Sequence, residues 1–276
     1  MVNKLKKIDN DTSICISIAE KPGNFGANFH NTCYEKLNLN WVYLPRKIDS
    51  SLNLKKVINS IKTLNIKGCS VSMPHKEKVI EYLDNLDLSA QKIGAVNTIK
   101  ISNDGLLKGF NTDYYGAKKA MQAHKIKGKK VLMVGCGGAA KAVGLAVKDL
   151  GGNLTVVNRT FERAKSLSKL LEVKLIKWDD IREFSGYLLI NATSVGMNDI
   201  NKMIVDDKVI NKFNIIMDIV IYPSITKLIK TSNKLGKKTI SGINMCVFQA
   251  SEQFKIYTGI EAPNEIINKT ISNIIS

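Results

Sequence analysis

Lys130-Val131-Leu132-Met133-Val134-Gly135-Cys136-Gly137-Gly138-Ala139-Ala140 decides how the rest of the chain reads. A short apolar run ends in glycines, and a helix-permissive segment follows through Lys148, so the order is strand, tight turn, helix. Gly135-x-Gly137-x-x-Ala140 fits the dinucleotide fingerprint in its G-x-G-x-x-A form. Gly135 allows the sharp turn, Gly137 lets the backbone approach a pyrophosphate, and Ala140 lets the helix pack close to the strand. Gly138 and Ala139 open that helix, whose first N–H groups and positive dipole end suit phosphate. A second apolar run, Leu154-Thr155-Val156-Val157, follows at βαβ distance. A purely structural turn is the competing reading.

The end of the second strand selects the cofactor. A site for NAD carries Asp or Glu about 20 residues past the glycines, to bond the ribose 2′-hydroxyl. This chain has Asn158-Arg159-Thr160 there, then Arg163. A carboxylate would repel a 2′-phosphate, whereas a guanidinium pairs with it through two hydrogen bonds and stacks on adenine. The expected cofactor is NADP. The alternative is a solvated helix start with one cationic face.

Composition sets the outer bounds. The 276 residues can hold one large or two modest domains, and 44% apolar content is ordinary for a globular chain. The net charge of +17 comes nearly all from lysines spread along the sequence. No basic run or aromatic-interleaved patch points to nucleic acid, and the positive field would draw anionic ligands instead. Cys15, Cys33, Cys69, Cys136 and Cys246 are scattered, without C-x-x-C or Cys/His ligand spacing. Neither a disulfide framework nor a metal site is expected. No signal peptide or span-length apolar run is visible, so the expectation is a cytoplasmic protein with reduced thiols and no membrane association.

Taken in order, residues 1–11 are polar and expected to fray at their start. Strands are expected at 12–18, 40–44 and 68–73, with helices from the 22–26 loop to 37, at 52–64 and at 76–86. Residues 97–101 and 106 onward form a hairpin through the Asn103-Asp104-Gly105 turn. This alternation predicts an α/β layer. A helix over 111–124 leads into the nucleotide-binding unit, which continues with strands at 187–191, 214–220 and 238–240 and a helix over 225–235. Two helical segments run from Gly242 to the end. Motif logic draws the boundaries: 1–110, 111–241 and 242–276.

Ser70-Val71-Ser72-Met73-Pro74-His75-Lys76 puts a lysine just past a strand end, where open α/β sheets build their sites. Asn111-Thr112-Asp113 puts a carboxylate at a helix start, where capping alone would explain it. Lys76 alone reads as a solvated residue, Asn97 as a turn residue and His75 as a surface histidine without chemistry. Spacing does not bring Lys76, Asn97 and Asp113 together.

The ordered set SVSMPHK, GAVNT, GFNTDYYG, VGCGGAAKA, VVNRT, NATSVGM and SGINMCVFQA resembles the shikimate dehydrogenase family over nearly the whole chain. The resemblance implies an N-terminal α/β substrate domain, a Rossmann-type doubly wound parallel-sheet NADP domain, and C-terminal helices returning to the first domain. It implies an oxidoreductase of aromatic amino acid biosynthesis, monomer or homodimer, interconverting a cyclic hydroxy acid such as shikimate with its keto form. Lys76 and Asp113 become the catalytic pair, Asn97, Gln249 and Ser72 substrate binders, and Thr193 of NATSVGM a cofactor contact. Physically, losing a hydride from a secondary alcohol also requires losing the hydroxyl proton, and a lysine beside a carboxylate suits that transfer.

Departures from the family pattern bear on the substrate. The family carries Ser-x-Ser-Pro before a His-Asn pair, the serines binding the substrate carboxylate. This chain keeps His30-Asn31 but reads Asn24-Phe25-Gly26-Ala27 before it. Asn24 is retained as a substrate binder, and Gly26 is read either as a lost hydroxyl or as a turn needing positive φ. Ile221 stands where a tyrosine is usual, and Asn244 where a glycine is usual. The stretch NFGANFHN with SVSMPHK resembles most the divergent shikimate dehydrogenase-like branch. Poor shikimate oxidation is expected. Quinate, an aminoshikimate or another polyol acid is the alternative substrate, and a non-catalytic NADP- and ligand-binding regulator the alternative of another class.

Overall fold

The computed structural model describes residues 8–49, 54–197 and 199–275. The fraying expected at the start, and residues 52 and 53 of the second expected helix, lie outside these. Cα proximity divides the chain into two compact units. One takes the described residues to Thr112 with Ala250–Asn268, the other Asp113–Gln249 with the described residues from Lys269 on.

The first unit runs β1 (Ser13–Ala19), α1 (Phe25–Lys36), β2 (Trp41–Lys47), α2 (Leu54–Thr63), β3 (Gly68–Val71), a 3₁₀ turn (Lys78–Tyr82), β4 (Asn85–Leu86), α3 (Leu88–Ile93), β5 (Thr98–Ile101) and β6 (Leu107–Phe110). Its sheet has the order β2-β1-β3-β5-β6-β4. β1 pairs parallel with β2 and β3, and β5 runs antiparallel to β3 and β6. Pro45 is tolerated within β2 because that strand is an edge, where a missing N–H costs no ladder bond. Ile18, Cys69, Val71 and Ile99 form the core against which α2 lays Leu54, Ile58 and Ile61.

The helix expected over 76–86 is instead a 3₁₀ turn followed by β4. Asp84 explains the change. Its N–H donates to the Leu107 carbonyl at 3.0 Å and its carboxylate accepts the Leu107 N–H at 2.7 Å, which draws the segment onto the sheet edge beside β6. The expected surface histidine is also corrected. His75 is 6% exposed, turned inward where its N–H donates to Ser72 O and its carbonyl accepts the Val79 N–H.

The second unit runs α4 (Thr112–Gln122), β7 (Lys130–Val134), α5 (Gly138–Asp149), β8 (Asn153–Val157), α6 (Phe161–Leu171), β9 (Lys174–Leu175), a 3₁₀ turn (Trp178–Arg182), β10 (Leu188–Asn191), α7 (Asp207–Ile210), β11 (Ile215–Asp218), α8 (Lys227–Lys234) and β12 (Lys238–Ile240). α9 (Gly242–Thr258) and α10 (Asn264–Ile275) close the chain. The six strands are all parallel in the order β12-β11-β10-β7-β8-β9, the doubly wound arrangement with its switch point between β7 and β10. Its inner strands β7, β8, β10 and β11 are buried almost throughout, with Leu132, Val134, Leu189 and Ile216 in one core. β11 ends two residues earlier than expected because the Asp218 carboxylate accepts the Val220 N–H at 3.1 Å and turns the chain.

The last residues of α9 belong to the first unit. Gly68 makes room for them: a Cβ there would lie 2.2 Å from the Tyr257 ring. Phe254 packs its ring 5.3 Å from Tyr34. The five cysteines are free. Among the described residues no helix is long and apolar enough to cross a membrane.

Candidate active site and nucleotide-binding turn

In the first unit the chemistry-bearing residues gather at the carboxyl ends of β1 and β3. Ser72 is exposed and Lys76 half-buried in the turn after β3. The Lys76 carbonyl accepts the Val96 N–H at 2.8 Å, which fixes the lysine backbone one residue from Asn97. Asn97 is 3% exposed, and its Oδ1 accepts three donors: Thr98 Oγ1 at 2.8 Å, Thr112 N at 2.8 Å and Thr112 Oγ1 at 3.0 Å. With the oxygen filled, the Nδ2 amide remains as the group able to donate to a ligand. One hydrogen-bonded path therefore runs from the Lys76 backbone through Val96 and Asn97 to Thr112, the residue before Asp113 in sequence. Gln253 completes it, its amide donating to Thr98 Oγ1 at 2.8 Å and to Asn97 O at 3.3 Å. Sequence reasoning missed Gln253; the only signal was its spacing of four from Gln249 on a helix.

Asn24 sits exposed at the start of α1 with no side-chain capping bond, so its amide is uncommitted to the helix. Gly26 is helical in the first turn and is absent from the positive-φ glycines, which removes the turn explanation for it. A Cβ there would lie 3.2 Å from the Tyr43 hydroxyl.

In the second unit Asp113 lies in the first turn of α4, one turn before Gly116. A Cβ on Gly116 would lie 2.9 Å from Gln249 Cβ and 2.4 Å from Met245 O, so Gly116 is where α9 meets α4. Residues three apart share a helix face, which puts Asp113 and Gln249 on the same side of α4. Asn244 is a helix cap here: its Oδ1 accepts from Ser241 N at 3.2 Å and from Ser241 Oγ at 2.8 Å. Ile221 and Tyr222 are both exposed after β11.

The glycine turn leaves open space at the start of α5. Gly135 has φ of +114° and lies against Ala192 O and the Thr193 methyl, contacts that no side chain could share. Gly137 and Gly138 are exposed, and a Cβ on either would meet nothing within 4 Å. The open space lies over the N-terminus of α5, with Ala139 half-buried and Ala140 buried against the strand side. Asn158 folds its amide onto Thr160 O at 3.0 Å, turning the chain into α6. Arg159, Thr160 and Arg163 are exposed at that helix start, and neither arginine forms an ion pair among the described residues. Arg163 is near enough to the glycine turn for its charge to act on Cys136, whose thiol burial pushes up to about 11. An adenosine 2′-phosphate and a pyrophosphate therefore both find donors among the residues present.

Thr193 is largely spent on its own loop. Its hydroxyl donates to Asn191 Oδ1 at 2.7 Å and accepts the Val195 N–H at 3.1 Å. Asn191 in turn donates to Asp218 at 2.9 Å, and Thr226 donates to the same carboxylate at 2.6 Å. Burial pushes Asp218 up to about 6 against these two donors and the Val220 N–H.

Comparison with known proteins agrees with both halves. A family model described as the shikimate dehydrogenase substrate binding domain matches residues 25–99, and one described as shikimate/quinate 5-dehydrogenase matches residues 116–240. The chain is 37% identical over 268 residues to the shikimate dehydrogenase (NADP(+)) of Methanocaldococcus jannaschii, covering 92% of this chain and 93% of that one. It is 35% identical over 265 residues to a shikimate dehydrogenase-like protein of Haemophilus influenzae, covering 94% and 96%. A crystal structure of a shikimate dehydrogenase in complex with NADP+ superposes with a TM-score of 0.86 at 34% identity, covering 98% of each chain. With both units matched and such identity sustained over nearly its whole length, this chain belongs to the shikimate dehydrogenase family.

Proposed function

We propose that in this NADP-dependent oxidoreductase Lys76 and Asp113 are the catalytic pair, acting on the secondary hydroxyl of a cyclic hydroxy acid, shikimate or a near relative. Bound NADP+ would supply the acceptor for the hydride of the carbinol carbon. The chain's own residues do the rest. Lys76 Nζ takes the hydroxyl proton, and its ammonium form steadies the developing oxyanion. Asp113 supplies the carboxylate of the pair, an acceptor for a neighbouring hydroxyl of the substrate. Asn97 Nδ2, Gln249 and Ser72 fix the ring, and Asn24 offers its free amide to the carboxylate. Gly135, Gly137, Gly138, Ala139 and Ala140 accept the pyrophosphate. Asn158, Arg159, Thr160 and Arg163 take the 2′-phosphate, and Thr193 contributes its loop to the cofactor's side.

The observation that supports this most is the hydrogen-bonded path from the Lys76 backbone through Val96 and Asn97 to Thr112. The domain reading that goes with it is a substrate domain to about residue 110, an NADP domain to about 241, and C-terminal helices serving the first. The reaction belongs to aromatic amino acid biosynthesis and the protein to the cytoplasm, as monomer or homodimer. Asn24 and Gly26 favour a second reading in which quinate or an amino-substituted shikimate is the better substrate. The test is NADP+ reduction followed at 340 nm over shikimate, quinate and aminoshikimate. Turnover of any of the three supports the dehydrogenase. NADP+ binding without turnover of any would support the regulatory binder instead.

A further inference from the structure

In the second unit β7, β10 and β11 end at one level. Asn191 is the register partner of Val134, which precedes Gly135, and of Asp218. Loops leave all three strands there, at the carboxyl end where an open parallel sheet receives its ligand. Asn191 is buried and holds four groups at once. Its Nδ2 donates to Asp218 Oδ1 at 2.9 Å and to Val195 O at 3.1 Å. Its Oδ1 accepts Thr193 N at 3.0 Å and Thr193 Oγ1 at 2.7 Å. Two acceptors face one end of the amide and a backbone donor faces the other, so the amide has a single orientation.

Asp218 sets that orientation. It is buried, its Oδ1 accepts Asn191 Nδ2 and the Val220 N–H, and its Oδ2 accepts the Thr226 hydroxyl. Backbone bonds from Ala192 N to Val134 O and from Ile219 N to Asn191 O already hold the strand ends. The Asn191 side chain therefore acts on residues 193–195, which Val195 N closes by donating to Thr193 Oγ1 at 3.1 Å. This loop is the wall behind the glycine turn. A Cβ on Gly135 would lie 2.6 Å from Ala192 O and 2.8 Å from the Thr193 methyl carbon, so a shift of Thr193 is felt directly at Gly135. The Thr193 hydroxyl hydrogen is spent on Asn191, so the loop acts by where it stands.

We propose that Asp218 and Asn191 are positioning residues for the nucleotide: together they hold residues 193–195 against Gly135 and so set the affinity for NADP. The inference rests on the reading of the glycine turn as the nucleotide site.

The test is fluorescence titration of NADPH into each variant, beside steady-state NADP+ reduction, with folding checked by the thermal midpoint. Asp218→Leu keeps the bulk and removes the acceptor. It should raise the Kd for NADPH and the KM for NADP+ by about tenfold, the scale of one displaced hydrogen bond, and leave the KM for shikimate as in the wild type. Asp218→Asn keeps an oxygen for Asn191 and should restore nucleotide affinity. Thr193→Val cuts the other end of the tie and should also raise Kd. The double variant of Asp218→Leu with Thr193→Val should lose no more than the larger single loss, because both loosen the same loop. Should Asp218→Leu fail to fold, Asp218→Ser withdraws the side chain from Asn191 with the same expected rise in Kd. A wild-type Kd in the folded leucine or serine variant, no rescue by asparagine, or losses that add in the double variant would overturn the inference alone. A wild type that does not bind NADPH would overturn the nucleotide reading and this inference with it.

Discussion

Asn97 Oδ1 accepts the backbone N–H of Thr112 at 2.8 Å, which ties the hairpin strand β5 to the residue immediately before Asp113. The same oxygen serves two hydroxyls, so the side chain has a structural end and a ligand end. Asn97→Ala removes the acceptor of three buried donors; the Thr98 and Thr112 hydroxyls, 3.0 Å apart, can pair with each other, but the Thr112 N–H and one hydroxyl hydrogen are left unmade at about 1–3 kcal/mol each, and the thermal midpoint should fall. Asn97→Asp keeps the acceptor and exchanges the amide for an oxygen. It should melt closer to wild type yet raise the KM for shikimate by roughly tenfold or more. A wild-type KM in the aspartate variant would mean that Nδ2 faces no ligand.

Arg159 and Arg163 should make NADP the preferred cofactor. Losing one charge-assisted partner of the 2′-phosphate costs about 1.5–3 kcal/mol, or roughly tenfold to a hundredfold in affinity. Titration of Arg159→Ala with both cofactors should show NADP weakened by that factor and NAD barely affected. Equal affinities in the wild type, with no loss in the variant, would remove the assignment.

Asp218 should give stability a pH dependence of unusual sign for a carboxylate. Its folded pKa is raised to about 6 from 3.8, so between those values the folded state holds a proton that the unfolded chain has released. Stability therefore falls as pH rises through that window and levels off above it, by about 3 kcal/mol in all. Thermal midpoints of wild type and Asp218→Asn from pH 4 to 7.5 should show the variant gaining on the wild type as pH rises. Parallel curves would mean that Asp218 is not held against its burial.

Gly68→Ala should damage the first unit more than its size suggests. A Cβ 2.2 Å from the Tyr257 ring forces that ring from its place, and overpacking of this kind costs about 1–3 kcal/mol or more. The thermal midpoint should drop, and Tyr257 should lose its hydrogen-bonded place beside Ser70. A variant with wild-type stability would show that α9 packs less tightly against β3 than the structure has it.

Much of this was legible in the chain itself. The nucleotide turn reads directly because each of its demands falls on a residue type: positive φ at Gly135, open approach at Gly137, close packing at Ala140. The strands β7, β8 and β10 read from continuous apolar runs, as buried parallel strands do. What escaped was set by contacts distant in sequence. β4 forms only because Asp84 finds Leu107, and Lys76–Leu86 carries no local sign of it. His75 looks like a surface residue until the turn around it is drawn. Gln253 and Tyr257 matter through partners more than 150 positions away, Thr98 and Ser70. Gly26 reads from the sequence as a turn residue or a lost hydroxyl, and its helical backbone in α1 removes the turn.

Lys76 carries the proposed proton transfer, and the most direct measurement is shikimate oxidation by Lys76→Ala at saturating NADP+, beside a fluorescence titration of NADPH binding. General acid–base groups contribute about 10²–10⁴-fold to rate, so kcat should fall by that order while nucleotide affinity stays as in the wild type. Near-normal turnover in Lys76→Ala would contradict the assignment of the proton transfer to this lysine.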